Sequence, residues 1–398
     1  AEQNFERGDL EAIAVDPDRY LKRLSPKLAT TRREREIALF AIQTLARKDV
    51  MAAAIQLRSI EKKLPAADAH YAWAQLARLA AGKHLPVALA WYDLAAETPL
   101  DEEQMAWHVR AALRAQDWAR VQRVVAAMPA EWAQRPEWIY WQARALTALH
   151  QTEQANALFL RIAGQPNFYG QLAAEELGWT IRLPLQAPPP SAEEITAAET
   201  NPGLQRALEL FRLDMRVEGV REWNWSLRGM SDRMLLAAAN LARRNTVWDR
   251  AIASADRTQD MHDFSLRYLA PYHDQVTAET TAQNIDTAWV YGLIRQESRF
   301  VTQANSAVGA KGLMQVMPAT AQWIAKKIKL ANFHPHQMTD IETNVQLGIS
   351  YLKLVLESLD NLPVLASAAY NAGPNRARRW RGDQPLEGAI YAETIPFT

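Results

Sequence analysis

The stretch WAQLARLAAGKHLPVALAW, from Trp73 to Trp91, decides the fold of the first half of the chain. It belongs to a region of about 180 residues that is rich in Ala, Leu, Arg and Gln and poor in Gly, a composition that favours helix. Residues of this stretch recur every 34 positions, as Trp73, Trp107 and Trp141; Ala77, Ala111 and Ala145; Val87, Val121 and Ala155; and Trp91, Val125 and Phe159. This period is typical of helix-turn-helix solenoids of the tetratricopeptide type, so residues 1–187 are predicted to form a superhelical solenoid.

The repeated tryptophans and alanines suit places where two helices cross closely, because a large residue there meets a small one. They are interpreted as core residues, and the solenoid as a curved wall. The solenoid is predicted to end at LPLQAPPPSAEE, where Pro188, Pro189 and Pro190 cannot continue a helix and favour an extended spacer. A domain boundary near residue 190 follows, and residues 191–265 are predicted to form a helical linker domain.

Two tryptophans of the linker domain, Trp223 and Trp225, flank Asn224. Their flat faces could stack on sugar rings, or the rings could pack between helices. The sequence leaves both interpretations open.

The overall composition excludes several kinds of chemistry. Lys plus Arg and Asp plus Glu both number 45, so no global charge favours nucleic acid or an anionic membrane surface as a partner. The absence of cysteine removes disulfides, thiol catalysis and thiolate metal sites. No apolar run approaches the roughly 18 residues that span a bilayer. We expect neither a metal nor a cofactor. The chain starts without an initiator methionine or a signal peptide, so a processed N-terminus is expected.

The candidate catalytic acid is Glu297, in LIRQESRF. Asp286 is predicted to cap the helix that carries it, whose apolar stripe contains Val290, Leu293 and Ile294. Glu297 continues this stripe, so its carboxyl group faces the core. Such a group can form a salt bridge, reach solvent at the helix end, or take a raised pKa. The next carboxylate along the chain is Asp340.

A glycine-containing loop, SAVGAKGLMQVMP, follows Glu297. Gly309 and Gly312 allow positive φ angles and a close approach to a ligand. Gln315 offers an amide, Met317 offers a soft apolar contact, and Pro318 suits the first turn of the next helix.

Two later segments complete the pattern. Thr339 and Glu342 are predicted to form a capping box, which makes Asp340 and Glu342 helix-start acids rather than catalytic partners of Glu297. In LASAAYNAGPNRARRW, a helix is predicted to end at Gly373 before Pro374, which places Tyr370 and Asn371 at its end. Tyr370 could be a packed ring or a donor aimed into a cleft.

In order along the chain, these residues form four motifs: Glu297-Ser298; Gly312-Leu313-Met314-Gln315; Asn344, Gly348 and Tyr351-Leu352; and Ala369-Tyr370-Asn371-Ala372-Gly373. The set resembles the four ordered motifs of the soluble lytic transglycosylases, which cleave the glycan strands of bacterial peptidoglycan. The match covers about residue 266 to the end. The N-terminal region is similar to the family in architecture only.

The resemblance implies an all-α protein in which the solenoid, the linker domain and a lysozyme-like catalytic domain over residues 266–398 form a ring. It also explains the single acid, because a hydrolase needs a second carboxylate and a transglycosylase does not. In the family's mechanism the glutamate protonates the oxygen between N-acetylmuramic acid and N-acetylglucosamine. The muramic N-acetyl oxygen assists at C1. The same glutamate then takes the proton of the C6 hydroxyl as a 1,6-anhydro ring closes.

By the resemblance, Glu297 is the catalytic acid and base. Ser306 and Tyr370 match positions that orient the glutamate or bind the N-acetyl group. Gln315 and Met317 match positions in the cleft, and Asn371 is added as a substrate-binding residue. The sequence departs from the family twice. It has Ile341 where proline is frequent, and it ends at Thr398, before a Glu-Thr-Arg motif whose glutamate lines the cleft.

Two other functions are considered. One is a hydrolase of the goose-lysozyme type, which requires a second carboxylate on the far face of the sugar. The other is a non-catalytic scaffold whose solenoid binds partner proteins. The expected partners are peptidoglycan strands and, through the solenoid, other cell-wall enzymes; nucleic acid and a transmembrane segment are not expected. A monomer in the periplasm is expected, with outer-membrane association in the full-length form.

Overall fold

The computed structural model describes residues 7–24, 31–96, 98–383 and 385–396. These residues form α-helices, two 3-10 turns (Glu61–Lys63 and Pro335–Thr339) and isolated β-bridges, without a strand in the described ranges. The predicted all-α fold class is confirmed. No helix in this part of the chain is both long and apolar enough to cross a bilayer. The chain packs as two units, Ala1–Leu183 with Arg379–Thr398, and Pro184–Arg378.

The predicted solenoid is confirmed as a series of paired helices. Trp73 and Trp141 are buried in the first helices of their pairs, and Trp107 is half-buried. The ring of Trp73 lies 5.7 Å from that of Trp91 on the partner helix. The helices are α1 (Arg7–Val15), α2 (Pro17–Leu24), α3 (Arg32–Lys48), α4 (Val50–Ile60), α5 (Ala66–Gly82), α6 (Ala88–Ala95), α7 (Glu102–Arg114), α8 (Trp118–Ala126), α9 (Ala130–Ala133), α10 (Pro136–Ala148), α11 (Thr152–Ile162) and α12 (Phe168–Glu176).

The second unit begins with a group of linker helices. They are α13 (Ala192–Glu199), α14 (Pro202–Arg212), α15 (Arg216–Ser226), α16 (Asp232–Arg244), α17 (Trp248–Ala255) and α18 (Phe264–Arg267). Trp223 is fully buried and donates its ring N–H to Ser254 Oγ at 2.9 Å, whereas Trp225 is 63% exposed. Residues two apart on a helix point in nearly opposite directions. A two-tryptophan sugar platform is therefore wrong, and Trp223 is a packing residue.

The second unit continues with the helices that carry the four motifs. They are α19 (His273–Gln283), α20 (Thr287–Glu297), α21 (Pro318–Lys327), α22 (Ile341–Glu357), α23 (Pro363–Ala372) and α24 (Pro374–Arg381). Asp286 caps α20 by accepting the N–H of Trp289 at 2.7 Å, and Pro318 occupies the first turn of α21, both as predicted. The predicted capping box is wrong. Thr339 ends a 3-10 turn, so Asp340 takes the N-cap position of α22 and makes no side-chain capping bond.

The last helix, α25 (Gly388–Glu393), packs with the solenoid. Ile390 is buried in the same apolar cluster as Trp138 and Trp141 of α10. The predicted limits of the catalytic domain, 266–398, take no account of this packing. Phe397, the last residue of the IPF stretch, and Thr398, at which the sequence ends, lie outside the described residues.

Candidate active site

Glu297 is the last residue of α20, and its position follows from the packing of that helix. Val290 and Ile294 are buried on the inner face, and Glu297, which continues the same stripe, is half-buried. Burial raises the pKa of Glu297, and a hydrogen bond from the side chain of Asn371 acts in the opposite direction. Of the three possibilities left open by the sequence, a salt bridge, exposure at the helix end or a raised pKa, the structure supports the raised pKa. A raised pKa suits a carboxyl group that acts as a proton donor.

A cavity of about 390 Å³ brings the predicted site residues together. Among the described residues that line it, Glu297 is the only carboxylate. Tyr351, a motif residue to which no role had been assigned, also lines it, with its ring 5.2 Å from that of Tyr370. The predicted residues on its wall are Glu297, Ser306, Gln315, Met317, Tyr370 and Asn371.

A second cavity, of about 570 Å³, adjoins the first and is lined in part by residues of the linker helices. It shares Glu297, Ser306 and Gln315 with the first cavity. Asp249 of α17, a carboxylate that no sequence pattern had indicated, also lines the second cavity. Asp249 is buried and paired with Arg216 at 2.6 Å and with Arg250 at 3.0 Å.

The loop between α20 and α21 needs glycine at its tightest point. Gly312 has a φ of 77°, which side chains rarely adopt. A Cβ atom there would lie 2.3 Å from Asn344 Nδ2 and 2.5 Å from the carbonyl oxygen of Met338. The loop therefore lies directly on α22: the positive φ is as predicted, but the close approach that was expected for a ligand is made at Gly312 to the protein itself.

Met314, in the middle of this loop, is held at both backbone polar groups. Its N–H donates to Asn344 Oδ1 at 2.8 Å, and its carbonyl accepts the Tyr370 hydroxyl at 2.8 Å. Asn344, fully buried, also donates to the carbonyl groups of Lys311 and Met338. The third and fourth motifs thus fix the second motif in place.

The finding on Met314 decides between the two interpretations of Tyr370. Its ring lines the cavity with only 9% of the residue exposed, but its hydroxyl proton is committed to the Met314 carbonyl rather than to Glu297. Burial, followed by the charge of Glu297, raises the pKa of Tyr370 well above its ordinary value. Tyr370 remains a neutral phenol that anchors the loop.

Ser306 and Gln315 use part of their polar capacity within the loop. Ser306 Oγ accepts the N–H of Ala310 at 2.9 Å, so its hydroxyl proton can still be donated. Gln315 Nε2 donates to the carbonyl groups of Ala304 and Gly312, at 3.1 and 2.8 Å, which leaves the amide oxygen as its acceptor for a ligand. Met317 is 40% exposed at the start of α21. The site can therefore offer a proton donor, an amide acceptor and an apolar surface. In the described ranges, no group of three or more His, Cys, Asp or Glu residues could hold a metal ion.

Comparison with known proteins agrees with this geometry. Residues 274–390 match the Transglycosylase SLT domain, and residues 197–263 match the Soluble lytic murein transglycosylase L domain. The chain is 27% identical over 383 residues to the soluble lytic murein transglycosylase of Escherichia coli K12, and 28% identical over 374 residues to that of Salmonella typhimurium. Each alignment covers 92% of this chain and 57% of the relative, so the chain spans little more than half of these proteins.

Solved structures give the same result. An inactive mutant of the lytic transglycosylase Slt from Pseudomonas aeruginosa superposes with a TM-score of 0.89 at 28% identity, over 98% of this chain and 64% of that one. The 70 kDa soluble lytic transglycosylase of Escherichia coli gives a TM-score of 0.81 at 26% identity, over 96% and 62%. The helical fold is that of the solved lytic transglycosylases. Over nearly all of its length the chain is similar to soluble lytic transglycosylases.

Proposed function

We propose that this chain cleaves the β-1,4 bond between N-acetylmuramic acid and N-acetylglucosamine in peptidoglycan without water. The product ends are 1,6-anhydro-muramic acid, formed during remodelling or recycling of the cell wall. The observation that carries this proposal is the cavity in which Glu297, with a raised pKa, is the only carboxylate among the described lining residues.

Glu297 serves as acid and then as base. Because burial raises its pKa, Glu297 keeps its proton to higher pH than an ordinary glutamate and can deliver it to the glycosidic oxygen as the C1–O bond breaks. The N-acetyl oxygen of the substrate supports C1 during this step. The resulting carboxylate accepts the proton of the C6 hydroxyl as that oxygen bonds to C1. The hydrogen bond from Asn371 keeps the carboxyl group oriented in both steps.

The loop that follows Glu297 supplies the substrate contacts. Gln315 and Ser306 line the cavity, and the described residues supply no partner for the amide oxygen of Gln315 or the hydroxyl proton of Ser306. These groups suit the N-acetyl and hydroxyl groups of an amino sugar. Met317 offers an apolar surface to the sugar ring. The hydrogen bonds of Asn344 and Tyr370 to the backbone of Met314 form a clamp that keeps the loop in place. Catalysis requires this, because the reacting groups must be held in a fixed geometry.

A hydrolase is the second candidate, and one observation favours it. Asp249 lines the cavity that adjoins Glu297, where a second carboxylate could activate water. Against this, both of its arginine partners bind the same oxygen, Oδ2, and fix the carboxyl group within an ion cluster. We therefore assign Asp249 to the packing of α15 and α17.

The substrate defines the rest of the proposal. Peptidoglycan lies outside the cytoplasmic membrane, so the protein acts in the periplasm. The solenoid remains available to dock other cell-wall enzymes.

Cleavage of purified sacculi tests the activity: the wild type should release soluble muropeptides. Glu297→Gln should bind sacculi while releasing essentially none, because the amide can neither donate nor accept the catalytic proton. An active Gln variant would mean that another acid does the chemistry.

A further inference from the structure

Two arginines of the solenoid, one repeat apart, meet two carboxylates of the C-terminal segment. Arg110 on α7 and Arg144 on α10 are separated by the 34-residue period of the repeat. Arg144 donates to both carboxylate oxygens of Glu387, at 2.8 and 2.9 Å. Arg110 Nε donates to Glu393 Oε1 at 2.8 Å. The spacing of the repeat therefore matches the spacing of the two acids.

Glu393 is held by hydrogen bonds as well as by its ion pair with Arg110. It is buried, and its second oxygen accepts the ring N–H of Trp141 at 3.3 Å and the hydroxyl of Tyr169. Trp141 is one of the repeated tryptophans. A buried carboxylate is tolerated only where its charge and lone pairs are satisfied, so this pocket is built for an acid.

Thr394, the next residue, is fully buried and completes the contact. Its hydroxyl oxygen accepts from Arg114 Nη1 at 3.1 Å, and its carbonyl accepts from His84 Nε2 at 2.7 Å. His84, on the preceding repeat, must carry its proton on Nε2, because a carbonyl only accepts. Three successive repeats thus contact one short segment.

The segment Glu387–Thr394 is too short to form a stable helix by itself. Helix α25 has 6 residues, far fewer than the roughly 12 to 15 at which an isolated helix becomes even marginally stable. Its order must come from the solenoid. Apolar contact through Ile390 provides burial, but the charge pairs at both ends determine the register.

We propose that the solenoid carries a binding surface for an acidic segment, formed by Arg110, Arg144, Arg114 and His84, and that its ligand is the segment Glu387–Thr394 of this same chain. On this surface, two arginines one repeat apart bind two carboxylates that are six positions apart in the segment. It gives the solenoid a role of its own, to order the end of the region that matches the transglycosylase domain. The proposal does not depend on the proposed activity, since its test measures no cleavage.

A double-mutant cycle in the full chain tests the Arg144–Glu387 pair. The readout is hydrogen–deuterium exchange of the amides of residues 388–394. Glu387→Gln should speed this exchange about tenfold, as expected for loss of one bidentate charge-assisted pair. In a chain that already carries Arg144→Gln, the same substitution should change exchange by less than about twofold, because its partner is gone.

The control is Arg123→Gln, an exposed arginine on α8 of the same solenoid, which should leave exchange of residues 388–394 unchanged. Amides of α10 report on the solenoid itself, so a general loss of structure would appear there. The interaction between Arg144 and Glu387 can be measured even if Arg144→Gln loosens α10, because the cycle compares the effect of Glu387→Gln on exchange in the two backgrounds. An equal effect of Glu387→Gln in both backgrounds, or no effect in either, would overturn the proposal.

Discussion

The hydroxyl of Tyr370 donates to the carbonyl oxygen of Met314 across 56 residues of sequence, while Asn344 accepts the N–H of the same Met314 across 30. Two helices thus hold one residue of the cleft loop from both sides. The third and fourth motifs thus position the second motif beside Glu297.

Removal of the Tyr370 hydroxyl should affect stability as well as activity. Tyr370→Phe leaves the buried carbonyl of Met314 without its partner, so the free energy of unfolding should fall by about 1 to 3 kcal/mol. Cleavage should fall because the loop with Gln315 and Met317 loosens. Thermal melts and sacculus cleavage measure the two effects. Tyr351→Phe is the matched control: its ring lines the same cavity, but no hydrogen bond from its hydroxyl is found among the described residues. Equal stability losses in the two variants would show that the Tyr370 bond contributes nothing particular.

Substitution of Asn344, which holds the N–H of Met314, is expected to lower stability more than substitution of Tyr370. Asn344→Asp keeps the shape but loses the two N–H donors that serve the carbonyl groups of Lys311 and Met338. Each buried acceptor left without a partner costs about 1 to 3 kcal/mol, so the melting temperature should fall more than for Tyr370→Phe. Asn332→Asp, on an exposed loop, makes the same chemical change and should leave the melting temperature nearly unchanged. A stable, active Asn344→Asp variant would contradict the role of Asn344.

The raised pKa of Glu297 has a consequence for stability against pH. The folded protein binds the proton more tightly than the unfolded chain, whose glutamate has a pKa near 4.5, so the charged form destabilises the fold. This cost is absent below pH 4.5 and grows as the pH rises through the folded pKa. Glu297→Gln removes the cost. Its melting temperature should therefore exceed that of the wild type at pH 7.5, and the difference should shrink toward zero at pH 4. A difference independent of pH would show that burial does not raise this pKa.

Asn371 should tune the same titration. Its hydrogen bond stabilises the charged form of Glu297 and opposes the effect of burial. Asn371→Leu should therefore raise the pKa further and move the alkaline limb of the pH profile of kcat/KM to higher pH, because the acid stays protonated longer. A reduced rate with an unmoved alkaline limb would restrict Asn371 to substrate contact.

Local features of the structure could be predicted from the sequence, and distant contacts could not. The 34-residue repeat, the Asp286 cap and the Pro318 helix start depend on neighbouring residues, and all three are confirmed. The capping box failed by one residue, because a 3-10 turn that no local pattern indicated ends at Thr339.

The residues predicted for the site line one cavity, and their role in catalysis stays a prediction; the hydrogen bonds among them were not predicted. Burial of Glu297 followed from the stripe on its helix, and the cavity collects every predicted site residue. The hydroxyl of Tyr370, however, contacts Met314 rather than Glu297. Asp249, on the linker helix α17, lines the neighbouring cavity although it is distant from Glu297 in sequence. Such contacts depend on how helices pack, which spacing along the chain does not encode. For the same reason, the docking of α25 on the solenoid was not predicted.

The most direct test of the proposed reaction is the mass of its products. Purified sacculi digested by the wild-type protein should give muropeptides ending in 1,6-anhydro-muramic acid. These are about 18 Da lighter than hydrolysis products, because the C6 hydroxyl rather than water attacks C1. Asp249→Asn should give the same products, since its carboxylate takes no part. Muropeptides with reducing ends that carry the added water, formed by the wild type and lost in Asp249→Asn, would contradict the account and establish a hydrolase with two carboxylates.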